Sequence, residues 1–449
     1  MIPRSIVRPA VALALVAGFL AVSAQALAEA VPQPVELPAQ LSLDASMQLL
    51  RTRSLDLLIS EASVKNAEGD VGVAGAVPNP SVNLGYGRTL NYDAGAICPG
   101  GVGGCSPNQY TFGLSDQAAI EDSLSGKRDL RLKVANRALA AAKLQRNDAL
   151  RNLEFQVKSA YAQVEQAQRG VALAKEVQAT NVKTLQLFQI RMKAGDINDG
   201  DLARVETQKL ESDQALDTAV QTLRQARFAL AFLLGVRGPV PEFTVDDKGL
   251  DYAVRSSLAN ADLDRLLRTA LEHRPDLQAL GYQRSSAEAA IALARRQRFP
   301  DITLSAQYTQ TGDGSQSIQP PTISFAVSAP IPIFYQQQGE IKKAEANLDT
   351  QALTQAKTVA QVVSDVSTAV AGYDAARALI ERMEKLLRPS AERAFVITRL
   401  QFDKGKATLM DLLDAQRTYI ATNVEYLQDL ANYWTAVYQV EQSVGMELR

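Results

Sequence analysis

"PSVNLGYGR", Pro80 to Arg88, has a counterpart 220 residues later in "PDITLSAQYT", Pro300 to Thr309. The first places Val82, Leu84 and Tyr86 on one side of an extended chain and Asn83, Gly85 and Gly87 on the other. The second sets Ile302, Leu304, Ala306 and Tyr308 against Thr303, Ser305, Gln307 and Thr309. Such period-two alternation predicts strands with one apolar face and one small, polar face. Leu90 and Tyr92 extend the first apolar face, which Arg88 interrupts. Return strands follow. Tyr110, Phe112 and Leu114 oppose Thr111, Gly113 and Ser115, while Ile323, Phe325, Val327, Ala329 and Ile331 oppose Ser324 and Ser328. Asp116 takes the apolar parity of its strand, so it belongs at an aqueous rim or at a break in the alternation. Pro330 and Pro332 cannot donate to a ladder, so pairing is expected to fail towards Phe334.

Segments of about ten residues with this pattern have the length of tilted strands in a transmembrane barrel. A half-buried strand of a soluble sheet has the same period. Four strands cannot close a barrel, and lipid offers no water to the bare edge of a sheet. If these hairpins lie in a membrane, several chains must share one barrel.

The echo extends along the whole chain. Asp56-Leu57 matches Asp276-Leu277 at the same offset, and an offset of 210 pairs Gly195 with Gly405, Asp201-Leu202 with Asp411-Leu412, and Gly235 with Gly445. Residues 29–235 form a first repeat with helix, hairpin over 81–120, long helix, tip near 195 and helix. Residues 236–259 are a linker. The second repeat, 260–449, carries its hairpin over 301–334 and its tip near 405.

Residues 1–28 have the marks of an export signal. Arg4 and Arg8 precede the apolar run Pro9 to Val22, and Ala26-Leu27-Ala28 is a small-x-small cleavage site before Glu29. No later apolar window approaches the ~20 residues of a spanning helix; the strongest is Phe228 to Val236. The net charge of −2 argues against nucleic acid as a partner. Only two cysteines occur, Cys98 and Cys105, in a Gly/Pro-rich stretch. In an oxidising compartment they suit a loop disulfide, with free thiols as the alternative, and with His273 they do not make a zinc site.

Gly126 to Ala194 contains no proline, and Gly339 to Asp403 contains only Pro389. Val359, Val363, Val366, Val370 and Tyr373 recur at three- and four-residue steps. The last helix offers two heptad seams: Leu413, Ile420, Leu427 and Trp434; and Leu430, Val437 and Val444, continued by Gln416 and Asn423. Narrow seams on long helices predict lateral helix packing rather than burial in a globule. Gly195 and Gly405 are left-handed helix stops, with Asn198 and Thr408 as caps of the helices that follow.

Catalytic signatures are absent: there is no Gly-rich phosphate loop, no GxSxG, no HExxH and no CxxC. "DINDGD" from Asp196 departs from a calcium loop at Gly200 and Thr207. No cofactor and no enzyme activity are expected.

Taken in order, these residues resemble the outer-membrane efflux protein (TolC) family over most of the mature chain. The resemblance rests on the duplicated plan, on "NPSV" at Asn79 and "FPDITL" at Phe299, and on "MKAGDINDGDLARVE" from Met192 and "FDKGKATLMDLLDAQ" from Phe402. "SGKRDLR" from Ser125 and "APIPIF" from Ala329 are most similar to the heavy-metal and cation branch. The resemblance implies a mixed α+β membrane protein, a trimer whose twelve-stranded outer-membrane β-barrel continues as a twelve-helix periplasmic α-barrel. It also implies a passive exit duct of a tripartite pump, with a periplasmic adaptor docking at tips that contain Gly195, Asp196, Gly405 and Lys406, and an inner-membrane pump behind it. Asp411 and Asp414 match the acidic rings that close the periplasmic entrance, and Asp201 matches the corresponding position after the first tip. Helix N-terminal charge is the plainer explanation of all three aspartates. Glu29 at the cleavage site departs from relatives lipidated on a first cysteine. The competing readings are a soluble periplasmic coiled-coil adaptor or structural protein, and, among ducts, drug efflux or type I protein secretion.

Overall fold

A computed structural model describes residues 37–93, 107–246, 249–255, 258, 262–311 and 321–448. The export signal and Cys98 and Cys105 lie outside the described residues. In chain order the elements are β1 (Gln40–Leu41), α1 (Leu43–Arg53), α2 (Leu55–Gly75), β2 (Ser81–Arg88), β3 (Asn108–Ser115), α3 (Ala119–Leu124), α4 (Lys127–Ala194) and α5 (Asp199–Leu233). Then come β4 (Thr244–Val245), α6 (Leu263–His273), α7 (Pro275–Arg296), β5 (Thr303–Thr311), β6 (Thr322–Ser328), α8 (Gln338–Arg382), a π-helical turn (Met383–Leu387), α9 (Arg388–Asp403) and α10 (Leu409–Val444). The proline-free stretch is one helix of 68 residues. Two compact units divide the chain, Met1–Leu55 with Gln163–Gly249, and Asp56–Ala162 with Leu250–Arg449.

The second unit holds an antiparallel sheet of order β2-β3-β5-β6. The two hairpins pair with each other through β3 and β5, with Phe112 opposite Tyr308 and Leu114 opposite Ala306. Because directly opposed residues share a face, Val82, Leu84, Tyr86, Tyr110, Phe112, Leu114, Leu304, Ala306, Tyr308, Ile323, Phe325 and Val327 form one apolar surface. The large side chains among them are between 37% and 81% exposed. On the other face stand Asn83, Gly85, Gly87, Gln109, Thr111, Gly113, Ser305, Gln307, Thr309 and Ser324.

The expected strand limits need one correction, at the end of β2, while Asp116 takes one of its two expected places. Leu90 and Tyr92 do not extend β2, which ends at Arg88; Asn91 takes a left-handed φ of 56° and turns the chain. Asp116 marks a break in alternation: its carboxylate accepts the Leu304 amide at 2.8 Å and the Ala118 amide at 3.2 Å, as Gln117 and Ala118 turn through positive φ. β6 stops at Ser328, ahead of Pro330 and Pro332, as their missing amides require.

The same unit packs α6 to α10 against one another. α10 runs against α8 and α9, burying Leu430, Val437, Val440 and Val444 completely. Of the two seams expected on α10 the second is the more buried, with only Asn423 half-buried; in the first Trp434 is buried and Leu413, Ile420 and Leu427 are half-buried. On α8 the buried line runs through Val362, Val366, Ala369, Tyr373 and Ile380. Val359 and Val363, placed in the seam by their spacing, are instead 37% and 40% exposed. The stripe is therefore rotated about one position from the β-branched run. An aromatic cluster closes this core, with Tyr433 against Tyr252, Tyr373 and Trp434 at ring separations of 5.3 to 5.8 Å. Pro389 has no amide to donate to Lys385, and the widened π turn just before it accommodates the ring.

In the first unit α1 and α5 accompany the distal part of α4, and β1 pairs in parallel with β4. Asn181 donates to the Gln208 carbonyl and Gln178 to Asp213, tying α4 to α5.

Candidate functional site

Three features can carry function: the two-faced sheet, the polar collar beneath it, and the helix tips. The sheet presents an apolar face too large and too exposed for a protein in water. Its edges are β2, bonded only to β3, and β6, bonded only to β5. Backbone donors and acceptors on both outer edges are left without a partner strand among the described residues.

The collar forms where the sheet meets the helices. Lys127, at the first position of α4, is 4% exposed, and its Nζ donates to Asp301 at 2.6 Å, to the Phe299 carbonyl at 2.8 Å and to Glu121. One turn on, Arg131 clasps buried Asp122 with two bonds of 2.6 and 2.7 Å, and Arg128 donates to the Gly75 carbonyl. The Arg131 guanidinium is pushed above its ordinary range, chiefly by its bond to Asp122. Reading the sequence did not single out these side chains chemically. Yet the signal was there: Lys127, Arg128 and Arg131 crowd a helix N-terminus, the end whose dipole repels cations, so anions had to be close by. Arg274 carries no such local signal, because it stands at the break between α6 and α7, just before Pro275. It is 5% exposed, bonded to Asp276, Asp365 and the Ser443 carbonyl. Burial pushes the Asp276 carboxyl up, but the Arg274 guanidinium outweighs it and leaves the group below its usual range.

Both tips close in the same way, each within its own unit. After α4, Gly195 adopts φ 79° and donates to Met192, while Asp196 donates back to Arg191. After α9, Gly405 adopts φ 70° and donates to Phe402, while Lys406 donates to Gln401. These paired bonds are Schellman stops. Asn198 and Thr408 cap the next helices. Gly195, Asp196, Gly405 and Lys406 are all exposed.

The three aspartates differ in their surroundings. Asp411 completes a capping box, accepting from the Thr408 amide at 2.9 Å and the Thr408 hydroxyl at 2.7 Å, which hold its carboxyl below the usual range. Asp201 accepts from Asn198 and pairs with Arg204 at 3.3 Å. Asp414, one turn beyond Asp411, is exposed, and its carboxylate makes no hydrogen bond or ion pair among the described residues. No group of three or more metal-ligating side chains is gathered among the described residues, nor is any described helix long and apolar enough to cross a membrane.

Comparison with known proteins identifies the family. The family model "Outer membrane efflux protein" matches residues 46–236 and again 266–446, one match in each half. The cobalt-zinc-cadmium resistance protein CzcC of Cupriavidus metallidurans is 24% identical over 412 residues, covering 92% of both chains. The pyoverdine export outer membrane protein OpmQ of Pseudomonas aeruginosa is 25% identical over 389 residues, covering 84% of this chain and 80% of its own. A crystal structure of CusC superposes with a TM-score of 0.72 at 18% identity, covering 95% of this chain and 100% of that one. The chain belongs to the outer membrane efflux protein family, and it is an efflux component of the Gram-negative outer membrane that extends into the periplasm.

Proposed function

We propose that three copies of this chain share one twelve-stranded barrel, continued through the periplasm by a twelve-helix tube, and that the assembly is the passive exit duct of a tripartite pump. The observation that carries this is the open four-stranded sheet with one exposed, apolar face and two bare edges. Joining β6 of one copy to β2 of the next satisfies both edges, and a three-fold ring closes them all. An eight-residue strand rises roughly 26 Å, and at a tilt of about 40° it covers about 20 Å, close to the ~25 Å apolar band of outer-membrane barrels. The other face, neutral and small, suits a water-filled lumen. The test is unboiled electrophoresis of detergent-extracted protein followed by planar-bilayer recording. A detergent-dependent trimer with steady conductance is expected; a water-soluble monomer would end the proposal.

An adaptor docks on the exposed tips at Gly195, Asp196, Gly405 and Lys406, with the inner-membrane pump behind it. Asp414 and Asp411, repeated by the three-fold axis, close the periplasmic entrance, and Asp201 contributes from the first tip. Heavy-metal cations are the favoured cargo, because the likeness to CzcC spans 92% of each chain. Likeness to OpmQ makes small organic solutes the competitor. Expression in a host lacking its own duct, with metal and drug tolerance measured side by side, separates the two. Restored drug tolerance without metal tolerance would overturn the cation assignment.

A further inference from the structure

From Pro80 to Gly126 and from Phe299 to Ile341, both hairpins and their flanks, the only lysine or arginine is Arg88. It is the last residue of β2, opposite Asn108, at the end of the sheet remote from the helices. Register puts it on the apolar face, in line with Val82, Leu84 and Tyr86. It is exposed and makes no hydrogen bond or ion pair among the described residues. One step below it lies a tyrosine row: Tyr86 and Tyr110 sit with ring centroids 5.5 Å apart, and the Tyr86 hydroxyl donates to Asn108 at 2.8 Å. On β5 Gln310 is opposite Tyr110, and Tyr308, one pair nearer the helices, donates its hydroxyl to Gln310 at 3.1 Å.

Tyrosines with their rings on apolar surface and their hydroxyls on polar neighbours mark the level at which hydrocarbon gives way to headgroups. An arginine one step beyond that level, on the lipid side, is costly in hydrocarbon and favourable among anions. In an outer-membrane protein whose helices lie in the periplasm, that level belongs to the outer leaflet. We propose that Arg88 and its tyrosine row form a binding site for the phosphate of an outer-leaflet glycolipid, one site on each copy of the chain. The planar guanidinium takes a phosphate through two parallel N–H bonds, and Asn108 beside it offers a further polar group. With no second cation nearby, Arg88 alone sets the preference for an anionic lipid. This site rests on the proposed membrane assembly and adds a ligand to it.

The test is native mass spectrometry of the full chain extracted in detergent, titrated with bis-phosphorylated lipid A, with the same lipid after phosphate removal, or with sodium phosphate. The wild-type assembly is expected to hold phosphorylated lipid about five-fold more tightly than R88Q, with R88K in between. Phosphate-free lipid should bind both proteins alike, and sodium phosphate should not displace the lipid. Equal retention of phosphorylated lipid by wild type and R88Q, both still trimeric, would overturn this site while leaving the channel reading intact. Displacement by sodium phosphate would also overturn it, as the mark of a free-ion site. A monomer in the same spectrum would overturn the channel reading and the site together.

Discussion

Gly235 turns through a φ of 83° directly against the carbonyl of Arg53, so that a β-carbon on it would overlap that oxygen. Gly445 stands in the same relation to Arg274: φ 86°, with a β-carbon 3.1 to 3.3 Å from its Cγ and Cα. Each half thus closes its last helix on the break between two helices near its own start.

Gly235→Ala is therefore expected to cost more than Gly195→Ala. Gly195 has the same handedness but open space around it. The left-handed backbone alone costs roughly 1–2 kcal/mol for alanine. At Gly235 the backbone must also shift to relieve the overlap, so at least about 2 kcal/mol is expected. Thermal unfolding of the two variants in the same detergent checks this, and equal midpoints would contradict it.

Lys127→Ala should loosen the collar between sheet and helices. It leaves Glu121, whose side chain is 12% exposed, without its cation, and deprives the Phe299 carbonyl of a donor. Removing one partner of a fully buried pair costs about 3–5 kcal/mol. Asp301 is 68% exposed and contributes little, so about 2–3 kcal/mol is the discounted expectation. Lys127→Met, which keeps the stem, should recover part of the loss; the midpoint of unfolding of the assembled protein is the readout.

How much of this was legible in the sequence depends on the range of the forces involved. Val82 to Tyr86 and Tyr110 to Leu114 alternate because one strand has two faces, a local property, and the strands lie where the period put them except beyond Arg88, where Asn91 turns the chain. Val359 and Val363 were misplaced because a three- and four-residue spacing is shared by neighbouring helix faces. Only the partner, here α10, decides which face is covered. Lys127 and Asp301 are 174 positions apart. Their pairing follows from how the hairpin base folds over α4, and no local pattern encodes it. At the tips the glycine stops and the Asn198 and Thr408 caps could be read directly, since every bond there spans five residues or fewer.

Tyr252→Phe should weaken the protein at neutral pH and flatten its loss of stability in acid. The Tyr252 hydroxyl donates to Glu381 at 2.8 Å and is the largest influence holding that carboxyl at about 2; Arg377 and Lys385 add to it. A carboxyl depressed in the folded state contributes stability that is present above its unfolded value near 4.5 and is lost as pH falls towards 2. The variant should thus lose stability at neutral pH and converge with wild type at the acid end. The same bond, after burial, pushes the Tyr252 hydroxyl up to about 12, so wild type should weaken between pH 10 and 12 while the variant lacks that contribution. Unfolding midpoints across pH for both proteins test the two windows, and parallel curves would refute the assignment.

Asp414 and Asp411 should separate under mutation, because their carboxylates are engaged differently. Asp411 is committed to Thr408, so Asp411→Ala removes half a capping box and is expected to lower the unfolding midpoint along with any effect on the channel. Asp414 has no such bond, and Asp414→Ala should leave thermal stability unchanged within about 0.5 kcal/mol. If the three-fold axis gathers these carboxylates at the entrance, Asp414→Ala raises single-channel conductance and the double variant raises it further. A conductance gain confined to Asp411→Ala would mean that fraying of α10, rather than charge at the entrance, opens the tip. Unchanged conductance in the double variant would remove the gate from both residues.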